Sequence, residues 1–283
     1  MFNNLYSIST MRNKKYLLLL LLVMGQKLYS QQLSDTTALL KEFTSVMAFT
    51  AQPYLYYTTI TKMDAMPVLN DMDTSSAPGV FYKNNQTMYC NTTKDEMYAA
   101  DSLVVQINNT NKTIWISKAN ASNTAGLNML PVTTTKMLQM MQKNYTIRKT
   151  SNADGISKIS LETKKTLFAN STTSTSVVME YSEQTKWPRS ISIEMRMKQP
   201  ANEEMITALK NEGVDENKLL QKIDGVNYLV SMQRIQIQFD NITTTKEKVL
   251  LIPSCKEKIS YNAKTGKYTG KGIYEPYEIT TTF

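Results

Sequence analysis

The chain has 283 residues with 32 basic and 24 acidic side chains, a formal charge of +8, and no histidine. The lack of histidine excludes Ser-His-Asp and Cys-His catalysis and every metal site that needs a histidine ligand. Basic and acidic residues are close to balance, which argues against a dedicated nucleic-acid-binding protein. We therefore predict no metal, no cofactor and no nucleic-acid partner.

Residues 1–30 have the layout of a secretory signal peptide. A basic stretch, Arg12 to Lys15, precedes an apolar stretch, Tyr16 to Met24, and the polar segment after it ends at Ser30. The apolar stretch would span about 14 Å as a helix, against about 30 Å for a bilayer core, so we expect it to direct export without spanning a membrane. An uncleaved N-terminal anchor is the alternative. The mature chain, without a transmembrane span, would be periplasmic or associated with the outer membrane.

The first predicted elements are a helix and a strand. Apolar residues recur at helical spacing over 36–49, with Asp35 as a suitable N-cap. The period then changes, and the aromatic and β-branched stretch 54–61 predicts a strand. Residues 63–78 contain Pro67, Pro78 and several Asp and Ser residues, and they predict a loop.

A run of short strands follows in the first half of the chain. We expect strands near 79–83, 86–92, 95–100, 102–108 and 111–117. Residues 118–131 have no clear period, and a methionine-rich helix is predicted over 134–143. Methionine fills irregular space, so its abundance suits either core packing or an adaptable pocket for an apolar ligand.

The second half has a clearer antiparallel pattern. Asp154-Gly155 is a strong hairpin signal between strands at 145–148 and 156–161. A strand near 177–181 comes next. Two later strands alternate apolar and polar residues with a period of two, which predicts a sheet with one dry face and one wet face. The dry face contains the candidate ligand-binding residues Ile191, Ile193, Met195, Ile235, Ile237 and Phe239.

A helical insertion is predicted near 201–223, between those two strands. It would comprise helices at 201–211 and 215–223, separated by Gly213. A final hairpin is predicted over 256–282 with its turn at Lys264 to Lys267. We therefore expect residues 31–283 to form one α+β domain, a mostly antiparallel, curved, half-barrel-like sheet with a few covering helices.

Cys90 and Cys255 are the two cysteines of the chain. In an oxidising compartment they could form a disulfide, which would close a long loop and stabilise the fold by roughly 5 kcal/mol. Two buried thiols in separate strands would give the same sequence pattern. Both alternatives remain open at this stage.

Paired acidic residues are the remaining candidates for catalysis, and neither pair suits it. Asp95 and Glu96 are neighbours in a predicted strand and would point to opposite faces, while Glu203-Glu204 suits a helix N-terminus. We therefore predict that the protein is not an enzyme. The lysines and tyrosines of the final hairpin could contact anionic head groups or glycans, although an ordinary solvated hairpin is the better explanation; they are Lys264, Lys267, Lys271, Tyr261, Tyr268 and Tyr274.

The order of elements over residues 35–245 resembles that of the periplasmic lipoprotein-carrier (LolA/LolB-like) superfamily, with Gly79-Val80-Phe81-Tyr82 early in the strand run. The insertion at 201–223 and the final hairpin depart from that order. The resemblance implies a half-open β-barrel whose concave face holds acyl chains. We accordingly expect an exported, non-catalytic envelope protein that binds a lipid or another hydrophobic ligand. The alternative is an accessory module that docks on an envelope protein through its sheet edges or the 201–223 helices.

Overall fold

The protein is described from a computed structural model. The model describes residues 36–68, 73–85, 87–100, 102–119, 135–152, 154–165, 173–215, 218–223, 225–249 and 252–282. The predicted signal peptide, the Asp35 cap and most of the predicted irregular stretch at 118–131 lie outside these residues.

Four α-helices and fifteen β-strands are formed by the described residues. The helices are α1 (Thr36–Met47), α2 (Thr135–Asn144), α3 (Glu203–Asn211) and α4 (Lys246–Val249). A 3-10 turn, Ala48–Ala51, continues directly from α1. The strands of the first half are β1 (Tyr54–Met66), β2 (Thr74–Asn84), β3 (Thr87–Thr92), β4 (Asp95–Ala100), β5 (Leu103–Asn108) and β6 (Thr113–Lys118). Those of the second half are β7 (Tyr145–Ser151), β8 (Ile156–Thr163), β9 (Thr173–Ser182), β10 (Pro188–Pro200), β11 (Leu220–Ile223), β12 (Val226–Thr243), β13 (Ile259–Asn262), β14 (Lys267–Gly270) and β15 (Glu278–Thr282).

Thirteen of these strands form one large sheet. Its order is β15-β6-β5-β4-β3-β2-β1-β12-β10-β9-β8-β7, and β11 adds to one end of β12. Every pairing is antiparallel except that of β15 with β6. The central strand β12 is 18 residues long and joins the two halves of the chain by pairing with β1 and β10. The predicted mostly antiparallel sheet with a few covering helices is confirmed.

Each face of the sheet has its own hydrophobic core. We call the face against which α1 packs the inner face; its core includes Phe43, Val46 and Phe49 together with residues from both halves of the sheet. The opposite, outer face has a second core over β3–β6, covered by the segment 252–279. In β3, β4 and β5 the period-two alternation sends successive side chains to these two cores in turn.

Two predicted features of the first half need correction. The predicted loop at 63–78 is wrong for most of its length, because β1 runs to Met66 and β2 starts at Thr74. The pairing of β2 with β3 begins only at Gly79, so the segment that contains Pro78 has a neighbour on one side only, where proline is tolerated.

The predicted helix at 215–223 is also wrong. Leu220–Ile223 is strand β11, which pairs with the start of β12 in a tight hairpin, and Gly225 lies in the connection with a φ of 83°. The final hairpin is shorter than predicted. It comprises β13 and β14, whereas the last strand, β15, leaves it and joins the large sheet. Among the helices of the described residues, none has the length and hydropathy needed to cross a bilayer.

Candidate functional site

The six candidate residues lie together on the inner face, on the neighbouring strands β10 and β12. Ile191 is directly opposite Ile237, and Ile193 is directly opposite Ile235. Phe239 is opposite Thr59 of β1. The alternation in the sequence therefore located one continuous apolar surface across the centre of the sheet.

Two of the six are core residues rather than accessible binding residues. Ile191 and Phe239 are only 2% and 5% exposed. Phe239 contacts the rings of Phe49 and Tyr57 at centroid distances of 5.7 and 5.6 Å, beneath the turn that follows α1. This closed end of the inner face stabilises the fold and leaves no room for a ligand at these two side chains.

The other four candidates are half-buried. Two further residues, which the sequence analysis did not predict, lie beside them on the neighbouring strands. Met63 of β1 lies opposite Ile235, and Val177 of β9 lies opposite Ile193. Both are half-buried as well. We call this set the open strip; it consists of Met63, Val177, Ile193, Met195, Ile235 and Ile237.

The open strip has apolar neighbours such as Leu161, opposite Val177, and uncharged polar neighbours beside Met195. Met195 lies opposite Gln233 on one side and Thr175 on the other. The charged residues of the same strands project from the outer face, where the carboxylate of Glu194 accepts hydrogen bonds from Arg196 (2.7 Å) and Arg234 (2.5 Å). Burial raises the pKa of Glu194, but these hydrogen bonds outweigh it and hold the pKa below its ordinary value. Among the described residues, the strand partners of the open strip on the inner face carry no charge.

Helix α1 is fastened over the closed end by four charged side chains, which we call the clamp cluster: Glu42, Lys149, Glu183 and Lys186. Lys149 Nζ lies 3.0 Å from Glu42 Oε1 and 2.7 Å from Glu183 Oε1. Lys186 contacts the same two carboxylates. Hydrogen bonds from Lys149, Lys186 and Ser157 lower the pKa of Glu183 to about 2. The cluster ties α1 to β7 and to the turn after β9.

A second charged group, the outer cluster, lies in the outer-face core and centres on Glu96. Its carboxylate is only 4% exposed and accepts hydrogen bonds from the hydroxyls of Tyr89, Tyr98 and Tyr274 at 3.0–3.1 Å. Lys258 contacts the same carboxylate and donates to the Tyr274 hydroxyl at 2.8 Å. Burial raises the pKa of Glu96, but the bonds from Lys258 and the tyrosines bring it below its ordinary value. The cluster fastens the C-terminal segment to the sheet.

Several smaller predictions can now be placed. Asp95 and Glu96 lie on opposite faces, as expected, because only Glu96 enters the outer cluster. Tyr274 is buried in that cluster, so it is not available to a ligand. Within the described residues, no group of three or more acidic or cysteine side chains is placed to hold a metal ion.

The two cysteines are not joined by a disulfide. Cys90 packs against the inner-face core, whereas Cys255 packs against the outer-face core. The disulfide alternative is therefore wrong for this structure, because the sheet itself lies between the two residues. Burial raises the pKa of the Cys90 thiol, which favours its protonated, unreactive form.

Comparison with known proteins assigns no family to the chain. No family model matches it, and no curated protein does. Among solved structures, it is similar to a DUF1329 family protein from Desulfovibrio piger, at 12% identity over 83% of this chain and 100% of that one. The TM-score of that match is 0.23, too low to assign either a fold or a function.

Proposed function

We propose that this protein is an exported, non-catalytic carrier or receptor of the cell envelope that binds an acyl chain or a similar hydrophobic ligand along the open strip. The observation that carries the proposal is the contrast within one apolar surface. Phe239 is buried beneath the turn after α1 and Ile191 is buried in the same core, whereas the side chains of the open strip are only half-buried on the same face.

The chemistry of the open strip suits an apolar chain. Each CH₂ group removed from water contributes about 0.8 kcal/mol, so a chain that buries ten of them gains roughly 8 kcal/mol before the cost of association. Unbranched Met63 and Met195 can adapt to chains of different shape. The strip would therefore select ligands by hydrophobicity and length more than by head group.

The element order supports the same proposal. The resemblance to the lipoprotein-carrier superfamily implies a sheet that curves around its ligand as a half-barrel, with helices on the concave side. In this chain α1 packs on the inner face, the face that holds the open strip. The signal-peptide layout of residues 1–30 favours export to the periplasm or the outer membrane, and the lack of histidine favours binding over catalysis.

The test uses two variants that differ by one position on β10. Ile193→Asp places a charge in the open strip, whereas Ser192→Asp places the same charge on the outer face of the same strand. Binding of dansylaminoundecanoic acid to the purified protein would be followed by fluorescence, with a thermal melt of each variant to verify folding. We expect Ile193→Asp to weaken binding by about tenfold or more and Ser192→Asp to leave it unchanged.

Two results would reject the proposal. One is the absence of any dansyl fluorescence change with the wild-type protein. The other is equal weakening by both variants while both remain folded, because the probe would then bind without using the inner face.

A further inference from the structure

The outer face contains a cleft that the proposed function does not use. It has a volume of about 460 Å³ and lies between β2 and the turn from β3 to β4. Its walls include Pro78, Val80, Asn91, Thr92, Thr93 and Asn109. The cleft is shallow and open to solvent, and its volume falls within the range of small-molecule sites, which is about 300–1,000 Å³.

The lining of the cleft mixes apolar and polar groups, and none of its lining residues has an ionisable side chain. Asn91 and Asn109 contribute amides, which both donate and accept hydrogen bonds, and Thr93 contributes an exposed hydroxyl. Pro78 and Val80 add an apolar wall. The lining residues themselves offer a ligand no charge, whereas a neutral ligand with many hydroxyl groups would find both donors and acceptors among them.

Hydrogen bonds to residues of the outer cluster hold both amides in place. Asn91 Nδ2 donates to the Tyr89 hydroxyl at 2.8 Å, and Asn109 Nδ2 donates to Glu96 at 3.4 Å. The Tyr277 hydroxyl donates to Asn109 Oδ1 at 3.2 Å. An amide has two N–H donors and two acceptor lone pairs, so each keeps hydrogen-bonding capacity for a ligand. Side chains fixed in this way lose little entropy when a ligand binds.

A row of tyrosines begins next to the cleft. Tyr82 is two residues from Val80 on the same strand and face, and its ring lies 4.8 Å from that of Tyr56 and 6.0 Å from that of Tyr89, centroid to centroid. Tyr56 and Tyr82 are half-buried. Aromatic rings of this kind offer an apolar surface with a polar edge, which suits the flat apolar side of a sugar ring.

From the uncharged hydrogen-bonding lining, the apolar wall and the adjacent tyrosines, we infer that this cleft is a binding site for a neutral carbohydrate. The site lies on the face opposite the open strip, so it does not depend on the proposed lipid-binding function. A protein with both sites would bind an apolar chain on one face and a glycan on the other.

Calorimetric titration of the purified protein with neutral hexasaccharides (cellohexaose, maltohexaose, xylohexaose and N-acetylchitohexaose) tests this inference, with acidic hexagalacturonate as the charged comparison. Thr93→Trp would fill the cleft, and Thr265→Trp in the exposed β13–β14 turn is its matched control. We expect at least one neutral hexasaccharide to bind, Thr93→Trp to weaken that binding by about tenfold, and Thr265→Trp to leave it unchanged.

Three results would overturn the inference: no heat of binding with any neutral hexasaccharide, equal weakening by the two tryptophan variants, or binding of hexagalacturonate as tight as that of the neutral sugars. Failure here is distinguishable from failure of the lipid-binding proposal, because Ile193→Asp should keep full saccharide binding and Thr93→Trp should keep full binding of the dansyl probe.

Discussion

The closed end of the inner face and the open strip are built from the same residue types on the same strands. Ile191 and Ile193 are two positions apart on β10, and each has an isoleucine directly opposite on β12. They differ in burial: Ile191 belongs to the inner-face core, whereas Ile193 is half-buried and packs against that core. Residue type and alternation therefore define an apolar face, but tertiary packing decides which part of it is core and which part stays half-buried.

The largest effect should come from a pair of alanine substitutions that compares these two regions. We expect Ile191→Ala to lower the free energy of unfolding by about 3 kcal/mol, because it leaves a cavity in a closed core. Ile193→Ala should cost about 1 kcal/mol, because the side chain is already half-exposed. Urea unfolding measures both values. Equal losses would mean that the open strip is as closed as the end beneath the helix.

A nearly equal effect is expected in the outer cluster, which can be compared with the clamp cluster. Lys258→Met would leave the buried Glu96 carboxylate without its cation, and breaking a buried pair in this way costs about 3 kcal/mol. Lys186→Met in the more exposed clamp cluster should cost less than about 1 kcal/mol. Urea unfolding at neutral pH tests the ranking, and the reverse order would contradict the burial of Glu96.

The sequence predicted the parts of these regions that depend on local pattern. The dry faces of β10 and β12 followed from period-two alternation, and the β7–β8 hairpin followed from Asp154-Gly155. The same Asp-Gly signal is present before Val226. The hairpin of β11 and β12 was nevertheless not predicted, because residues 215–223 were interpreted as a helix. Met63 was missed because Pro and Ser residues around it suggested a loop, although the alternation of β1 continues to Met66.

Other features could not be predicted from local pattern. Glu96 and Lys258 are 162 residues apart, and nothing near either residue indicates its partner. The parallel pairing of β15 with β6 likewise depends on the position of β6 near the edge of the folded sheet. The difference in burial between Ile191 and Ile193 is of this kind too, because it depends on the tertiary packing of the inner face. The candidate surface was therefore predictable, but its division into core and open strip was not.

A smaller effect should appear when the clamp cluster is titrated. The pKa of Glu183 is lowered from 4.5 to about 2, so its stabilising contribution is fully present above about pH 4.5 and is lost as the pH falls towards 2. As the pH falls from 5 to 2.5, the stability of the Glu183→Gln variant should therefore decrease less than the stability of the wild-type protein. Thermal melts across this range measure the difference. Parallel pH profiles would show that the carboxylate is not paired in the folded protein.

The smallest effect is expected from reduction of the cysteines. Cys90 and Cys255 are unbridged and lie on opposite faces, so a reducing agent should leave the melting temperature unchanged. A melt with and without dithiothreitol checks this. A clear decrease on reduction would contradict two unbridged cysteines.

Photocrosslinking with a diazirine-labelled fatty acid tests the central claim most directly, because it reports where the ligand lies. After irradiation of the purified protein, mass spectrometry would assign the modified residues. We predict modification within 175–177, 193–195 and 233–237, on the strands of the open strip. Modification confined to the outer face or to α3 would contradict binding on the inner face.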